Sequence, residues 1–174
     1  MTAEELLRLK LPDKRTELVR GVLMVREPAG YRHGSVAMAL AVRIANHVMA
    51  HDLGDVLAAE TGFILERGPD TVRAPDVAFV RKRRVPSPLP SGYAEQAPDL
   101  AVEVLSPGDR PGAVLEKVGA WLSAGTALVW VVDPGRRTAR VYRADGSDAV
   151  VHADANLDGE DVLPGFECPL AQIV

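Results

Sequence analysis

DLAVEVL, residues 99–105, is an almost continuous apolar run broken by one carboxylate, Glu103. A run of this length and composition reads as a central strand covered on both faces. Side chains alternate along a strand, so Leu100, Val102 and Val104 share one face, and Ala101, Glu103 and Leu105 share the other. Glu103 therefore projects from the middle of a buried face. An unpaired buried charge is costly, so such a group is expected to be paired, neutralised or bound to metal.

Downstream, SPGDRPG (106–112) is a loop and residues 113–123 read as a helix, with Gly125 as its C-cap. On a helical wheel Val114, Val118, Trp121 and Leu122 make the apolar stripe. Lys117 lies at its edge and Glu116 points away. Lys117 can thus bury its stem against the sheet and extend its ammonium towards a carboxylate. ALVWVVD (127–133) is a second central strand, stopped by Pro134 and Gly135, and TARVYRA (138–144) is its hairpin return.

Upstream, APDVAFVRK (74–82) is a strand with Asp76 at its start, followed by a long proline-rich loop over 85–98. Long loops in compact domains are often functional. Further back, DVLAAE and GFILERG read as short strands or a hairpin. Val36, Leu40, Ile44 and Val48 recur every four residues, widened by Ala37 and Ala41, which predicts an amphipathic helix from His33 to about His51, ended by Gly54. ELVRGVLMV (17–25) reads as a strand, with Gly21 marking a bulge or a hairpin turn. Thr2 and Glu5 have capping-box spacing for a short N-terminal helix over 2–10. The tail holds short strand-like pieces and polar turns. Strands with well-separated helices suggest an α/β fold with a mixed sheet, and 174 residues suit one domain over 1–174.

A hydrophobic fraction of 47% with mixed charges is ordinary for a soluble globular chain, and the net charge of −4 argues against a broadly basic protein that coats nucleic acid. A local patch or a bound cation can still supply positive potential. The single cysteine, Cys168, excludes an intramolecular disulfide and a cysteine-rich zinc site. The charged N-terminus lacks a signal core and no apolar run is long enough to span a bilayer, so a cytoplasmic location is expected.

Asp76 and Glu103 offer only carboxylate oxygens, which suits Mg²⁺ or Mn²⁺ rather than zinc. A lysine beside them could stabilise charge growing on a phosphate. Each group also has a plainer reading. Glu103 and Lys117 could form a structural ion pair, Asp76 could be a turn residue, and Glu17 could be a surface residue at a strand end. The cluster Arg81, Lys82, Arg83 and Arg84 is the best basic patch and a candidate for nucleic-acid contact, or else a charged strand end. His47 and His51 are one helical turn apart, but with no third ligand they read as a helix face. Asp109 with Arg110, and Arg136, Arg137 and Arg140 on the hairpin, read first as surface.

Together TELVRGVL (16–23), EPAGYRHGSV (27–36), APDVAFV (74–80), APDLAVEVLSPGDR (97–110), LEKVGAWLSAG (115–125), VWVVDP (129–134), RTARVY (137–142) and LPGF (163–166) carry a resemblance almost from end to end. In this order and spacing the chain resembles the Uma-type family of endonucleases, within the PD-(D/E)XK restriction-endonuclease-like superfamily. The resemblance implies a restriction-endonuclease-like mixed β-sheet flanked by helices and Mg²⁺-dependent (or Mn²⁺-dependent) hydrolysis of DNA, with a homodimer as the form that cuts both strands. It implies Asp76 and Glu103 as metal ligands, Glu17 as a further ligand, and His33 as a site residue at the start of the long helix. The superfamily places a lysine two residues after the acidic residue, where this chain has Leu105. The family pattern moves that lysine to the next helix, at Lys117. Gly34, Ala113, Trp121 and Leu128 stand where the family commonly has an amide, an aspartate, a tyrosine and a glutamate. The alternative is a nuclease-fold protein with little or no activity, acting as a nucleic-acid-binding or interaction module.

Overall fold

The structure, a computed structural model, describes residues 1–12 and 14–174. Among these the helices are α1 (Ala3–Arg8), α2 (Tyr31–Ala50) and α3 (Pro111–Ser123). The strands are β1 (Arg15–Val19), β2 (Val22–Arg26), β3 (Gly54–Ala58), β4 (Phe63–Glu66), β5 (Thr71–Arg73) and β6 (Val77–Arg81), then β7 (Leu100–Val104), β8 (Leu128–Asp133), β9 (Thr138–Arg143), β10 (Asp148–His152), β11 (Asn156–Asp158) and β12 (Glu167–Pro169).

DLAVEVL forms the expected central strand. A six-stranded mixed sheet has the order β10-β9-β8-β7-β6-β3. β7 and β8 pair in parallel, with α3 as the crossover, and the other neighbours are antiparallel. One face, carrying Leu100, Val102 and Val104, packs against Val36, Leu40, Ile44 and Val48 of α2 and against Leu157, Leu163 and Phe166 of the tail. The other, carrying Ala101, packs against Val118 and Trp121 of α3 and Phe63 of β4. Both faces of β7 are covered, as its unbroken apolar pattern requires.

A second sheet, in the order β2-β1-β5-β4, is antiparallel throughout. Leu18 and Val72 of this sheet pack on Ala3 and Leu6 of α1. The capping box is present: Thr2 accepts from the Glu5 amide, and Glu5 accepts from the Thr2 amide. The strand expected across Gly21 is two strands. Arg20 and Gly21 both have positive φ, 47° and 77°, which is the conformation of a tight two-residue hairpin turn.

Two boundaries differ from the sequence reading. Gly54 does not end α2. The helix is capped at His51, Asp52 turns the chain at φ 53°, and Gly54 opens β3. At φ 147° a Cβ on Gly54 would lie 2.1 Å from the Val80 carbonyl oxygen, so the close approach of β3 to β6 requires glycine. DVLAAE and GFILERG do not form a hairpin: β3 is the edge of the six-stranded sheet, while β4 is the edge of the four-stranded one. Among the described residues no helix is long and apolar enough to cross a membrane.

Candidate active site

The two sheets meet at Ala74–Pro75–Asp76, the link between β5 and β6. The Asp76 amide donates to the Val102 carbonyl at 2.9 Å, which extends the β6–β7 ladder by one residue. That tether fixes Asp76 beside β7. Its Oδ2 accepts from the Val104 amide at 2.8 Å and lies 3.1 Å from Nε2 of His33, in the first turn of α2. Its Oδ1 has a longer contact, 3.4 Å, with Nη2 of Arg15 on β1.

Glu103 projects from β7 under α3 and is 8% exposed. One helix face holds both of its oxygens. Lys117 Nζ lies 2.8 Å from Oε2, and the Trp121 indole Nε1 donates to Oε1 at 2.9 Å. Residues four apart on a helix lie one above the other, so the Lys117–Trp121 spacing brings two donors to one carboxylate. Lys117 also reaches Glu17 Oε1 on β1 at 3.1 Å and the Ala74 carbonyl at 3.3 Å. Glu17 accepts from the Ala74 amide at 3.1 Å and from Arg73 Nη1 at 3.2 Å. Lys117 therefore bridges carboxylates from both sheets.

The electrostatics follow from burial opposed by charge. Burial works against the Lys117 ammonium, but the Glu103 and Glu17 charges outweigh it and raise its pKa, so it stays protonated. Burial, joined by the Asp76 and Glu17 charges, raises the Glu103 carboxyl despite the neighbouring Lys117. Burial also works against ionised Glu17 and Asp76. Lys117 and Arg73 more than offset it for Glu17, and His33 with the Val104 amide does so for Asp76, so both are lowered. The hydrogen bond to Asp76 raises His33 against the opposing effect of burial. The site thus holds one carboxyl that takes a proton more readily than usual and two that resist it.

These groups line one cleft of about 660 Å³, with Arg15, Arg26 and Arg73 among its walls. Among the described residues no three His, Cys, Asp or Glu side chains gather as a ready-made metal cage. A site of two carboxylates completed by water and phosphate is nevertheless the usual form for magnesium. The hard-oxygen donor set of Asp76 and Glu103 fits Mg²⁺ or Mn²⁺ in that form. A carboxylate oxygen that accepts one hydrogen bond keeps a lone pair for a cation, and Asp76 Oδ1 is the least engaged. Glu17 fits less well as the further ligand, because its Oε1 already takes two donors, the Ala74 amide and Lys117, and its Oε2 faces both Arg73 and Arg26, whereas each Glu103 oxygen takes one donor.

The family model described as "Putative restriction endonuclease", named Uma2, matches residues 3–171. The chain belongs to the Uma2 family. A crystal structure of "a putative nuclease belonging to DUF820 from Anabaena variabilis ATCC 29413" has the same fold, with a TM-score of 0.86. It is 21% identical in sequence, and the similarity covers 99% of this chain and 97% of that one. No curated protein matches the chain.

In this Uma2 protein Asp76, Glu103, Lys117, Glu17 and His33 come together in the one cleft. Arg81, Lys82, Arg83 and Arg84 do not join them. Asp76 precedes β6 and Arg81 ends it, which separates them by roughly 17 Å at the rise of a strand. Lys82–Arg84 is a 3₁₀ turn rather than a strand end. Arg84 pairs with buried Asp99 at 2.8 Å, Arg81 approaches it at 3.8 Å, and Lys82 pairs with Asp52. This cluster closes the far end of the sheet.

The His47 and His51 rings lie 4.4 Å apart, tilted by 36°, and bond to backbone carbonyls, as a helix face does. Asp109 accepts from the Ser106 amide at 2.7 Å and shapes the loop below α3. Leu128, in place of a glutamate, is buried in the core. Sequence reasoning missed Arg73 and Arg15. Arg73 carried a usable signal, a charge in TVR immediately before the APD link. Arg15 carried none, because its position depends on how β1 and β5 pair.

Proposed function

We propose that this Uma2 protein is a metal-dependent endonuclease that hydrolyses phosphodiester bonds of DNA in the cleft of Asp76, Glu103 and Lys117. The observation that carries the reading is the convergence of these three from a link, a strand and a helix onto one open cavity. The family description and the name of the structural relative support the substrate class.

Asp76 and Glu103 would hold Mg²⁺ or Mn²⁺, which when bound supplies Lewis acidity for the phosphate and a more acidic water. Lys117, kept protonated by Glu103 and Glu17, is placed to stabilise charge that grows on the phosphate oxygens. Glu17 holds Lys117 and Arg73 in position. Arg73 Nε is buried with no hydrogen-bond partner among the described residues, as expected where a ligand supplies the acceptor. His33 holds a proton at Nε2 against Asp76, and Arg15 and Arg26 offer charge to flanking phosphates. A homodimer would let two such sites cut both strands of a duplex.

The test is incubation of plasmid and single-stranded DNA with Mg²⁺ or Mn²⁺, with Glu103→Ala and Asp76→Ala as controls. Metal-dependent cleavage lost in both variants is expected. Cleavage that survives both substitutions sinks the assignment. One observation favours a second reading, a nucleic-acid-binding module without catalysis: Glu103 and Glu17 already have protein donors on both oxygens. That reading requires DNA binding without cleavage, and no Mn²⁺ binding by calorimetry.

A further inference from the structure

A second cavity, of about 860 Å³, continues from the cleft past the first turn of α2 to the β8–β9 hairpin. The two share Gly30, His33, Ser106, Pro107, Asp109 and Val114, so they form one trough. The floor of the extension is apolar, with Val114, Val131 and the exposed side chains of Leu115 and Val150. Its rim carries three arginines and two tyrosines beside Asp109 and Asp133, and Arg140 pairs with Asp148 at 2.7 Å. Tyr31 stands 94% exposed, and Arg32, Arg136, Arg140 and Tyr142 complete the wall. The walls are braced: Arg32 donates to the Pro134 carbonyl, tying α2 to the hairpin, and the Arg140 guanidinium lies 5.4 Å from the Tyr142 ring centre. Among the described residues the Arg136 side chain has one loose partner, Asp133 at 3.8 Å.

The other extension of the cleft runs along α2 beside Ala37, Met38 and Ala41. Its basic residues, Lys14 and Arg15, already line the cleft itself. Of these two extensions the hairpin groove is the one that adds new guanidinium groups and tyrosines to an apolar floor. An apolar and aromatic floor accepts base faces, and a guanidinium rim accepts phosphates. This combination suits a flexible single strand, because stacking onto side chains needs bases that are not already paired and stacked in a duplex.

We infer that the groove between the first turn of α2 and the β8–β9 hairpin binds the single-stranded nucleotides that flank the phosphate held in the cleft. The inference rests on the nuclease reading and adds the path of the strand and its single-stranded form.

The test is fluorescence anisotropy of a labelled single-stranded oligonucleotide and of the corresponding blunt duplex, titrated with the full chain in EDTA so that nothing is cut. Tyr31→Ala removes an exposed stacking surface and should weaken single-strand binding about five-fold or more. Arg136→Glu should weaken it too, and should flatten the dependence of log affinity on log salt by about 0.7 or more, the contribution of one phosphate on a single strand. Met38→Ala, in the other extension, should change neither. If Arg15→Ala weakens binding while Tyr31→Ala and Arg136→Glu match wild type, nucleic acid enters the cleft without using the groove. The groove is then overturned and the nuclease reading stands. A groove that serves a polypeptide gives that same result. Equal losses on the duplex overturn the single-strand assignment. Wild-type protein that binds neither probe overturns the groove, while the nuclease reading is decided separately by the cleavage test with Mg²⁺ or Mn²⁺.

Discussion

Replacing Lys117 with methionine keeps the bulk of the stem and removes the charge that Glu103 and Glu17 share. Glu17 keeps Arg73 and the Ala74 amide. Glu103 keeps only the Trp121 indole. Removing one partner of a buried ion pair costs about 3–5 kcal/mol, or roughly 6–20 °C in Tm for a chain of this size. The cost must depend on pH. Without Lys117, the already raised Glu103 carboxyl rises further, so the folded state binds a proton that the unfolded state releases. The stability that protonation confers is complete below the unfolded pKa of about 4.3 and is lost as pH rises through the folded pKa. Glu103 is already raised in wild type, so the two proteins diverge only between the wild-type and the variant folded pKa, and over that interval the variant should lose up to about 1.4 kcal/mol per pH unit relative to wild type. Adding Glu103→Gln removes the orphaned charge, while the amide can still accept from Trp121. The double variant should therefore be more stable than Lys117→Met alone, and its deficit should no longer grow with pH. Urea unfolding of the four proteins at pH 5.5 and 7.5 measures both effects. Additive losses in the double variant, or a Lys117→Met deficit equal at the two pH values, would refute the account of Lys117 as the counter-charge of Glu103.

Other outcomes follow from the same geometry. His33 titrates above its ordinary value because Asp76 accepts from it; Asp76→Asn should lower that pKa in an NMR titration, and the stability His33 contributes in wild type should be present below about pH 6.5 and fade as pH rises through the folded value. Glu17 and Asp76 are lowered, so the stability they contribute should persist above the ordinary carboxylate range and be lost as pH falls through their folded values, seen as acid unfolding by circular dichroism. At the proposed metal site Mn²⁺ would need ionised Glu103, so calorimetry in two buffers of different ionisation enthalpy should show proton release that grows towards lower pH. Trp121→Phe leaves Glu103 Oε1 without its donor and should cost about 1–3 kcal/mol in urea unfolding.

Much of this site was legible in the sequence because its parts lie within strongly patterned elements. The alternation of DLAVEVL placed Glu103 on a buried face, and the wheel over 113–123 placed Lys117 at the edge of the stripe that covers it. Both inferences use only local periodicity, and both side chains lie where that periodicity puts them. The allocation of strands to two sheets was not legible. DVLAAE and GFILERG have similar lengths and patterns, and nothing local in them states that one pairs with β6 and the other with β5. Arg15 was missed for that reason, since the cleft needs the second sheet to bring it in. The placement of the Arg81–Arg84 patch away from the cleft was illegible for a related reason. A run of positive charge looks free in sequence, but Asp99 and Asp52, which pair with Arg81, Arg84 and Lys82, are remote positions that only the fold makes adjacent.

Leu105 and Lys117 explain each other. Position 105 shares the face of Glu103, so a lysine there would lie about 7 Å along the strand from it and could reach the carboxylate. In this chain that face is covered by α3, whose Val118 and Trp121 pack on Ala101 and Val129. Leu105 packs against the same cluster. An ammonium at 105 would have to displace that packing, whereas one at Lys117 enters from the covering helix itself. The helix position also adds what a strand lysine lacks. Trp121, one turn later, holds the second oxygen of Glu103, and the reach of Lys117 to Glu17 ties the second sheet to the first. Moving the charge from strand to helix thus makes the docking of α3 a condition for assembling the site, because a shift of α3 would carry away both donors of Glu103 at once.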